Sequence, residues 1–405
     1  AQELREAIAH FKAKGKTVVC HLSHPNNIGY YVASAADSIL IPPVSRLNLV
    51  GLRAELTFYT GTMDKLGIKA DVMQIGDYKT AAEQYTEKAS TEKHRRQLNR
   101  ILDDVYDQFV SAIAAGRGLT SDSVRTIIDN GPFTSQEALQ YGIVDGLSYR
   151  DEPDKTGFLS PVAVISFEGY REDTLVNDGW PARPNLAVVV AEGDIAFGSS
   201  GLTPFDNGPK VTPSLMKRAF EQAARNPLVR GTVFRINSPG GDALAGEEIY
   251  HVAHRSTKDL PLVVSMANVA ASGGYYIAMP SSRLFANPAT ITGSIGVYGG
   301  KVDLSGLYDK IDLGRELYTR GRYAGMLSTI RPFTPDEREK YYSHMTAFYN
   351  HYLTLVAANR RLSADSVDAL GQGRVWTGRE ALANGLVDEL GGLKQSLDIP
   401  PNNWG

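Results

Sequence analysis

Cysteine is almost absent from this chain of 405 residues, Cys20 being the only one. No intramolecular disulfide can form, so packing alone holds the fold, and the redox compartment leaves no trace in the sequence. An excess of charge of either sign is lacking too. With 42 basic and 45 acidic residues the formal net charge is −3, which gives no electrostatic reason to expect a nucleic-acid partner or an anionic membrane surface. No apolar run approaches the roughly 18 residues of a membrane span, and no signal peptide opens the sequence as given; the expectation is a soluble chain. Clustered metal ligands are scarce. The stretch "CHLSH" gathers Cys20, His21 and His24, but it sits in a strand-like run without a second ligand cluster of the usual spacing. Neither a metal nor another cofactor is expected.

What the chain does have is a second copy of itself. Its length exceeds that of a typical single domain. An offset of 245 residues aligns residues 18–78 with 263–323 without a gap, with identities that include Gly29/Gly274, Tyr30/Tyr275, Tyr31/Tyr276, Asp64/Asp309, Lys65/Lys310, Gly76/Gly321 and Tyr78/Tyr323. Further on, at an offset of 243, "FTSQEALQYGIVDGL" matches "WTGREALANGLVDEL". One duplicated domain explains the length. Each copy reads as strand, small-residue turn, helix, strand and long helical segments. "KTVVCHL" and "LPLVVSM" are short apolar runs of buried-strand type, while "DEREKYYSHMTAFYNHYLTLVAANRRL" has helical length and periodicity. Such alternation predicts an α/β fold with mainly parallel sheets and flanking helices.

The second copy opens with "NLAVVVAEGDI" and continues through "PSLMKRAFEQAARN" to "INSPGGDALAGEE"; the first has no such opening, because Ala1 aligns with Gly246. About 60 residues of the first repeat are therefore expected to be missing at the front, a segment that could also carry a membrane anchor. The expected organisation is an amino-terminal repeat over 1–150, a Pro-, Gly- and Asp-rich linker over 151–184, a carboxy-terminal repeat over 185–396, and a tail over 397–405.

The copies are most informative where they differ. Opposite Ser272 in "NVAASGGYYIA" the first copy has Asn27; opposite Lys79 in "IGDYKTAAE" the second has Ala324. Each copy keeps one reactive side chain and lacks the other. A serine hydroxyl is a weak nucleophile until a neighbour takes its proton, and a buried neutral lysine can be that base. A free lysine, with a pKa of about 10.4, is protonated at neutral pH, so such a site must depress it. By itself Lys79 reads as a solvated surface lysine, as most lysines are, and Ser272 as a helix N-cap; the reciprocal loss is what singles them out. A serine at a strand-to-helix corner lies beside the N–H groups of the first helical turn, making the Gly273 amide a candidate oxyanion donor. Gly240 and Gly241 in "SPGG" would let a second N–H approach a substrate without a Cβ in the way. Thr292 and Ser294 in "ITGSIGV" could orient a lysine amine. His251 and His254 lie on a probable helix beside charged residues and read as a solvated face.

Together, "RINSPGGDALAGEEI", "NVAASGGYYIA", "NPATITGSIGVYG", "GDYKTAAE" and the paired "EALxxGxVD" endings resemble the signal peptide peptidase A (protease IV) group of serine peptidases, in its long duplicated form. The resemblance implies two tandem Clp protease/crotonase-like domains, with Ser272 as nucleophile, Lys79 as general base and Ser294 positioning the lysine. It places the oxyanion hole at Gly273 and the Gly240/Gly241 pair. It further implies a homotetrameric bowl at the bacterial cytoplasmic membrane, with the catalytic part on the periplasmic side, degrading signal-peptide remnants and other short hydrophobic peptides; the anchor would lie in a segment absent from this chain. Two rival readings remain at this level. Crotonase-like acyl-CoA chemistry would need carboxylates near the diglycine, where Asp242, Glu247 and Glu248 lie; a non-catalytic peptide-binding or oligomeric scaffold would need no reactive pair.

Overall fold

The strand Leu262–Ala271 forks, and the fork sets the architecture around it. In the computed structural model, which describes residues 1–23, 25–149, 185–198 and 208–399, the first part of this strand pairs in parallel with Arg283–Ala286. Its last three residues pair instead with Ile291–Gly293. On its other side lie the parallel strands Val229–Ser238 and Asn185–Glu192. Val375–Thr377 closes one edge, antiparallel to Ile291–Gly293, and Glu389–Leu390 extends Arg283–Ala286. The result is a seven-stranded, mainly parallel sheet.

Such a sheet must be covered on its faces. Helix Pro213–Arg225 does part of this. Thr212 caps it by accepting from the Leu215 N–H at 3.2 Å, Pro213 occupies the first turn where its missing donor costs nothing, and Met216, Phe220 and Ala223 recur at helical spacing on its buried face. Helix Pro335–Arg360 starts from a capping box between Thr334 and Glu337 and buries Met345, Tyr349, Tyr352, Leu353 and Val356. The stretch "YYSHMTAFYNHY" turns Tyr349 and Tyr352 into this core.

The packing units are bounded differently from the sequence repeats. One comprises Ala1–Arg53 and Asp104–Pro184, the other Ala54–Asp103 and Asn185–Gly405. The segment 54–103 carries first-repeat sequence, Lys79 included, yet belongs to the second unit. Its strand Lys69–Ile75 runs antiparallel to Val297–Asp303, with Ile75 opposite Val297 and Lys69 opposite Asp303.

The first unit holds a three-stranded parallel sheet of Val19–His21, Ser38–Ile41 and Gly146–Leu147. The duplication is visible atom by atom. Tyr30 donates its hydroxyl to the Ile143 carbonyl at 2.8 Å, and Tyr275 to that of Leu386 at 2.7 Å. The Asp145 carboxylate accepts from the Ile39 N–H and pairs with Arg117; Asp388 does the same with Leu284 and Arg360. The "EALxxGxVD" endings thus supply, in each copy, a carboxylate that ties a helix to a strand. His21 Nε2 lies 2.8 Å from the Ser148 carbonyl oxygen, and His24 lies outside the described residues, as do the expected linker at 151–184 and the end of the tail. No helix among the described residues is long and apolar enough to cross a membrane.

Candidate active site

Ser272 stands where the forked strand ends and the short helix Gly273–Tyr276 begins. It occupies the N-cap position, but its side chain makes no cap bond and its φ is 54°, a left-handed conformation that costs a non-glycine residue free energy unless the surroundings impose it. They do. The Ser272 N–H donates to the Gly293 carbonyl at 2.8 Å, and its own carbonyl accepts from the Tyr275 and Tyr276 N–H groups at 3.0 and 2.9 Å. A fourth bond comes from the hydroxyl of buried Tyr352, 2.8 Å from the same carbonyl oxygen. Four hydrogen bonds thus hold the Ser272 backbone, and its hydroxyl is spent on none of them.

Lys79 reaches it by register. Because Ile75 sits opposite Val297, the chain four residues beyond Ile75 runs alongside Ser294, three residues before Val297. A loop at 371–374 clamps it there. Tyr78 donates its N–H to the Gln372 carbonyl at 2.7 Å, and the Arg374 guanidinium lies over the Tyr78 ring at 4.4 Å. A Cβ at Gly373, whose φ is +73°, would stand 2.5 Å from the Lys79 nitrogen, so only glycine allows so close an approach. Lys79 is 3% exposed. Burial disfavours its charged form and brings its pKa down to about 7.

The Lys79 Nζ has three oxygen neighbours, Ser272 Oγ, Ser294 Oγ and the Ser294 carbonyl, each at 2.9 Å. An ammonium would donate to all three; a neutral amine has two protons and one lone pair. The carbonyl can only accept, so in the neutral state the lone pair accepts a hydrogen bond from one of the two hydroxyls, Ser272 or Ser294, both half-buried. Ser294 also has a φ of 54°. Thr292 does not join this group. It is fully buried and donates to the Ala270 carbonyl at 2.7 Å, and the chain leaves the strand between it and Ser294, at Gly293 with φ +77°.

Beside the hydroxyl, two N–H groups converge. Those of Gly273 and Gly241 have no hydrogen-bond acceptor among the described residues. The Gly240 N–H is already committed to Ser238 Oγ at 3.2 Å. The two glycines of "SPGG" therefore do different things: Gly241 presents an N–H, while Gly240 supplies room, since a Cβ there would lie 2.6 Å from the Gly273 nitrogen and 2.9 Å from Ser272 Cβ. Ile195 shapes the same corner through backbone bonds to Gly240 and Asp242 at 2.8 Å each.

Lys79, Ser272, Ser294, Gly240, Gly241 and Gly273 line one cleft of about 1110 Å³, whose apolar walls include Ile195, Leu244, Val297, Tyr298, Met345 and Phe348. Tyr352, Ile195 and this wall went unread in the sequence. The aromatic run of helix Pro335–Arg360 was the available signal, but nothing local in it tells which ring faces the serine. His251 and His254 are exposed. The carboxylates near the diglycine do not converge: Asp242 accepts from the Ala245 N–H at 2.8 Å as a helix cap, Glu247 accepts from the Tyr276 hydroxyl, and Glu248 is exposed.

A model described as peptidase family S49 matches residues 10–155 and 254–399. The chain is 30% identical over 410 residues to the "Serine protease SPPA, chloroplastic" of Arabidopsis thaliana, covering 98% of this chain and 60% of that protein. It is 29% identical over 409 residues to the "Protease 4" of Salmonella typhi, covering 97% and 64%. A "Putative signal peptide peptidase SppA" of Enterococcus faecium is 34% identical over 180 residues, covering 44% of this chain and 52% of that one. The chain thus spans less than two thirds of the length of each of these three relatives.

Proposed function

This chain belongs to peptidase family S49, and from that premise we propose that it is a serine endopeptidase in which Ser272 is the nucleophile and Lys79 the general base. Neutral Lys79 takes the Ser272 proton as the oxygen attacks a peptide carbonyl. The Gly273 and Gly241 N–H groups stabilise the oxyanion, the amine returns its proton to the leaving nitrogen, and water then hydrolyses the acyl-enzyme by the same route. Ser294, with two acceptors on the amine, is the positioning residue. The observation that carries this reading is the 2.9 Å separation of Nζ and Oγ at a lysine whose burial keeps it largely neutral above pH 7.

The cleft supports an extended peptide with small or branched apolar side chains, its main chain adding to a strand edge. The printed name of the Enterococcus relative and the motif resemblance support cleaved signal peptides and other short hydrophobic peptides as substrates. On the same footing the chain acts as a homotetramer at the bacterial cytoplasmic membrane, with the catalytic part on the periplasmic side and attachment through a segment outside this sequence. A fluorophosphonate probe tests the chemistry. It should label Ser272 alone, and both Ser272→Ala and Lys79→Met should abolish labelling and peptide turnover while circular dichroism stays unchanged. Undiminished turnover in either variant would end the assignment.

A further inference from the structure

The cleft around Ser272 carries a negative charge that the reaction does not use. Three carboxylates line it, those of Asp194, Asp242 and Glu247, against Lys210 and a Lys79 that burial keeps largely neutral above pH 7. Two of the three are spent. Asp194 pairs with Lys210 at 3.0 Å, and Asp242 caps its own helix through the Ala245 N–H at 2.8 Å. Glu247 is different. Its Oε2 accepts from the Tyr276 hydroxyl and has His351 Nε2 at 3.4 Å, while Oε1 has no partner among the described residues. Neither a lysine nor an arginine among those residues pairs with this half-buried carboxylate, and a carboxylate drawn partly out of water is stabilised by a cation beside it.

The local fold aims Glu247 at the cleft. On helix Ala243–Ser256, Leu244 and Glu247 stand three residues apart and share the face that lines the cavity, whereas Ile249 and Ala253 turn into the core. A single tyrosine connects that carboxylate with the nucleophile's own turn: the Tyr276 N–H donates to the Ser272 carbonyl at 2.9 Å, and its hydroxyl donates to Glu247. Burial and then the carboxylate itself push the Tyr276 phenol up, so it remains a donor. The Tyr276 ring stacks on Phe348 at 5.7 Å and meets Tyr352 edge-on at 4.8 Å, and all three rings line the same cavity. An open carboxylate oxygen beside aromatic rings suits a cation on two counts, a charge-assisted hydrogen bond and the ring quadrupoles.

Taking the cleft as the peptide site proposed above, we propose that Glu247 is a specificity-determining residue whose open oxygen receives a cationic group of the substrate, either a lysine or arginine side chain or a free amino terminus. An extended chain advances ~3.3 Å per residue, and one tyrosine side chain separates the carboxylate from the serine's turn, so the cation lies within roughly three residues of the scissile bond. The selected peptide joins an apolar stretch to a nearby positive charge, which is the composition of a signal peptide where its basic and apolar regions meet.

Binding and turnover test it separately. In a Ser272→Ala background, fluorescence anisotropy measures the affinity of dye-labelled apolar peptides that carry lysine or norleucine at one position, scanned along an acetylated chain; a lysine-free peptide with a free amino terminus tests the other source of the charge. At one scanned position, or at the free terminus, the cation should bind about tenfold tighter than the neutral peptide. Glu247→Gln, which keeps an acceptor for Tyr276, should erase that difference and leave the affinity for the neutral peptide unchanged. Glu247→Lys should turn the preference toward glutamate at the same position. With Ser272 restored, the same ratios should appear in kcat/KM. Equal affinity for all the peptides, or binding of none, would overturn the proposal. So would a Glu247→Gln variant that weakens neutral and cationic peptides alike, the mark of a carboxylate that only ties two helices together. Failure of fluorophosphonate labelling at Ser272 would sink the peptidase chemistry and leave the charge preference to the binding data, so the two failures are told apart.

Discussion

Lys79 Nζ and Ser272 Oγ lie 2.9 Å apart although 193 residues separate them in the chain. No local element accounts for that distance. It is produced by the antiparallel register of Lys69–Ile75 with Val297–Asp303, by the clamp of Gln372 and Gly373 on the chain at Lys79, and by the forked strand that ends at the serine.

The rate of acylation should rise with pH through about 7, following the deprotonation of Lys79. Single-turnover labelling of Ser272 across pH 5 to 9 reads this directly. A flat profile, or a midpoint near the ordinary lysine value, would show that another group accepts the proton.

Burying Lys79 has a stability signature of definite sign. Its folded pKa of about 7 lies below the unfolded value of about 10.4, so between them the unfolded chain binds more protons and stability rises with pH. Below about 7 both states are protonated, and the cost of the buried charge is felt in full. Lys79→Met should therefore unfold at higher denaturant concentration than the parent at pH 6, by ~2 kcal/mol after the lost hydrogen bonds are counted, with the advantage fading toward pH 10. A variant less stable than the parent at pH 6 would contradict this.

Gly240→Ala should cost activity out of proportion to stability. The added Cβ would press on the Gly273 nitrogen and Ser272 Cβ at 2.6 and 2.9 Å, displacing one oxyanion donor, and removal of such a donor typically lowers kcat by about 100- to 1000-fold. Steady-state kinetics beside a thermal melt separate the two effects; a parent-like kcat would remove Gly240 from the account.

Tyr352→Phe removes one donor from the Ser272 carbonyl and leaves those from Tyr275 and Tyr276. Stability should drop by about 1 kcal/mol. Acting through the serine corner, the change should lower kcat roughly tenfold with KM and the acid limb of the pH profile unchanged. If KM rises instead while kcat holds, the tyrosine serves the cleft wall and not the nucleophile.

Much of this protein is written in local pattern. Apolar runs of strand length placed Val19–His21 and Leu262–Ala271. Helical length and periodicity placed Pro335–Arg360, and repetition of "EALxxGxVD" marked the two carboxylates that tie helix to strand in each copy. Comparing the copies also singled out Ser272 against Asn27 and Lys79 against Ala324, because a duplicated chain keeps a record of which half retained each side chain. Other features have no local record. That residues 54–103 pack with the second unit follows from pairing across more than 200 positions, and strand register is a property of the assembled sheet. That Gly241 and not Gly240 leaves its N–H open depends on where Ser238 Oγ falls. That Tyr352, among the aromatics of one helix, reaches the serine carbonyl depends on the rotation of that helix against the sheet. Periodicity along a chain encodes which face of an element is apolar; which atom meets which across the core is decided only when those faces are packed together.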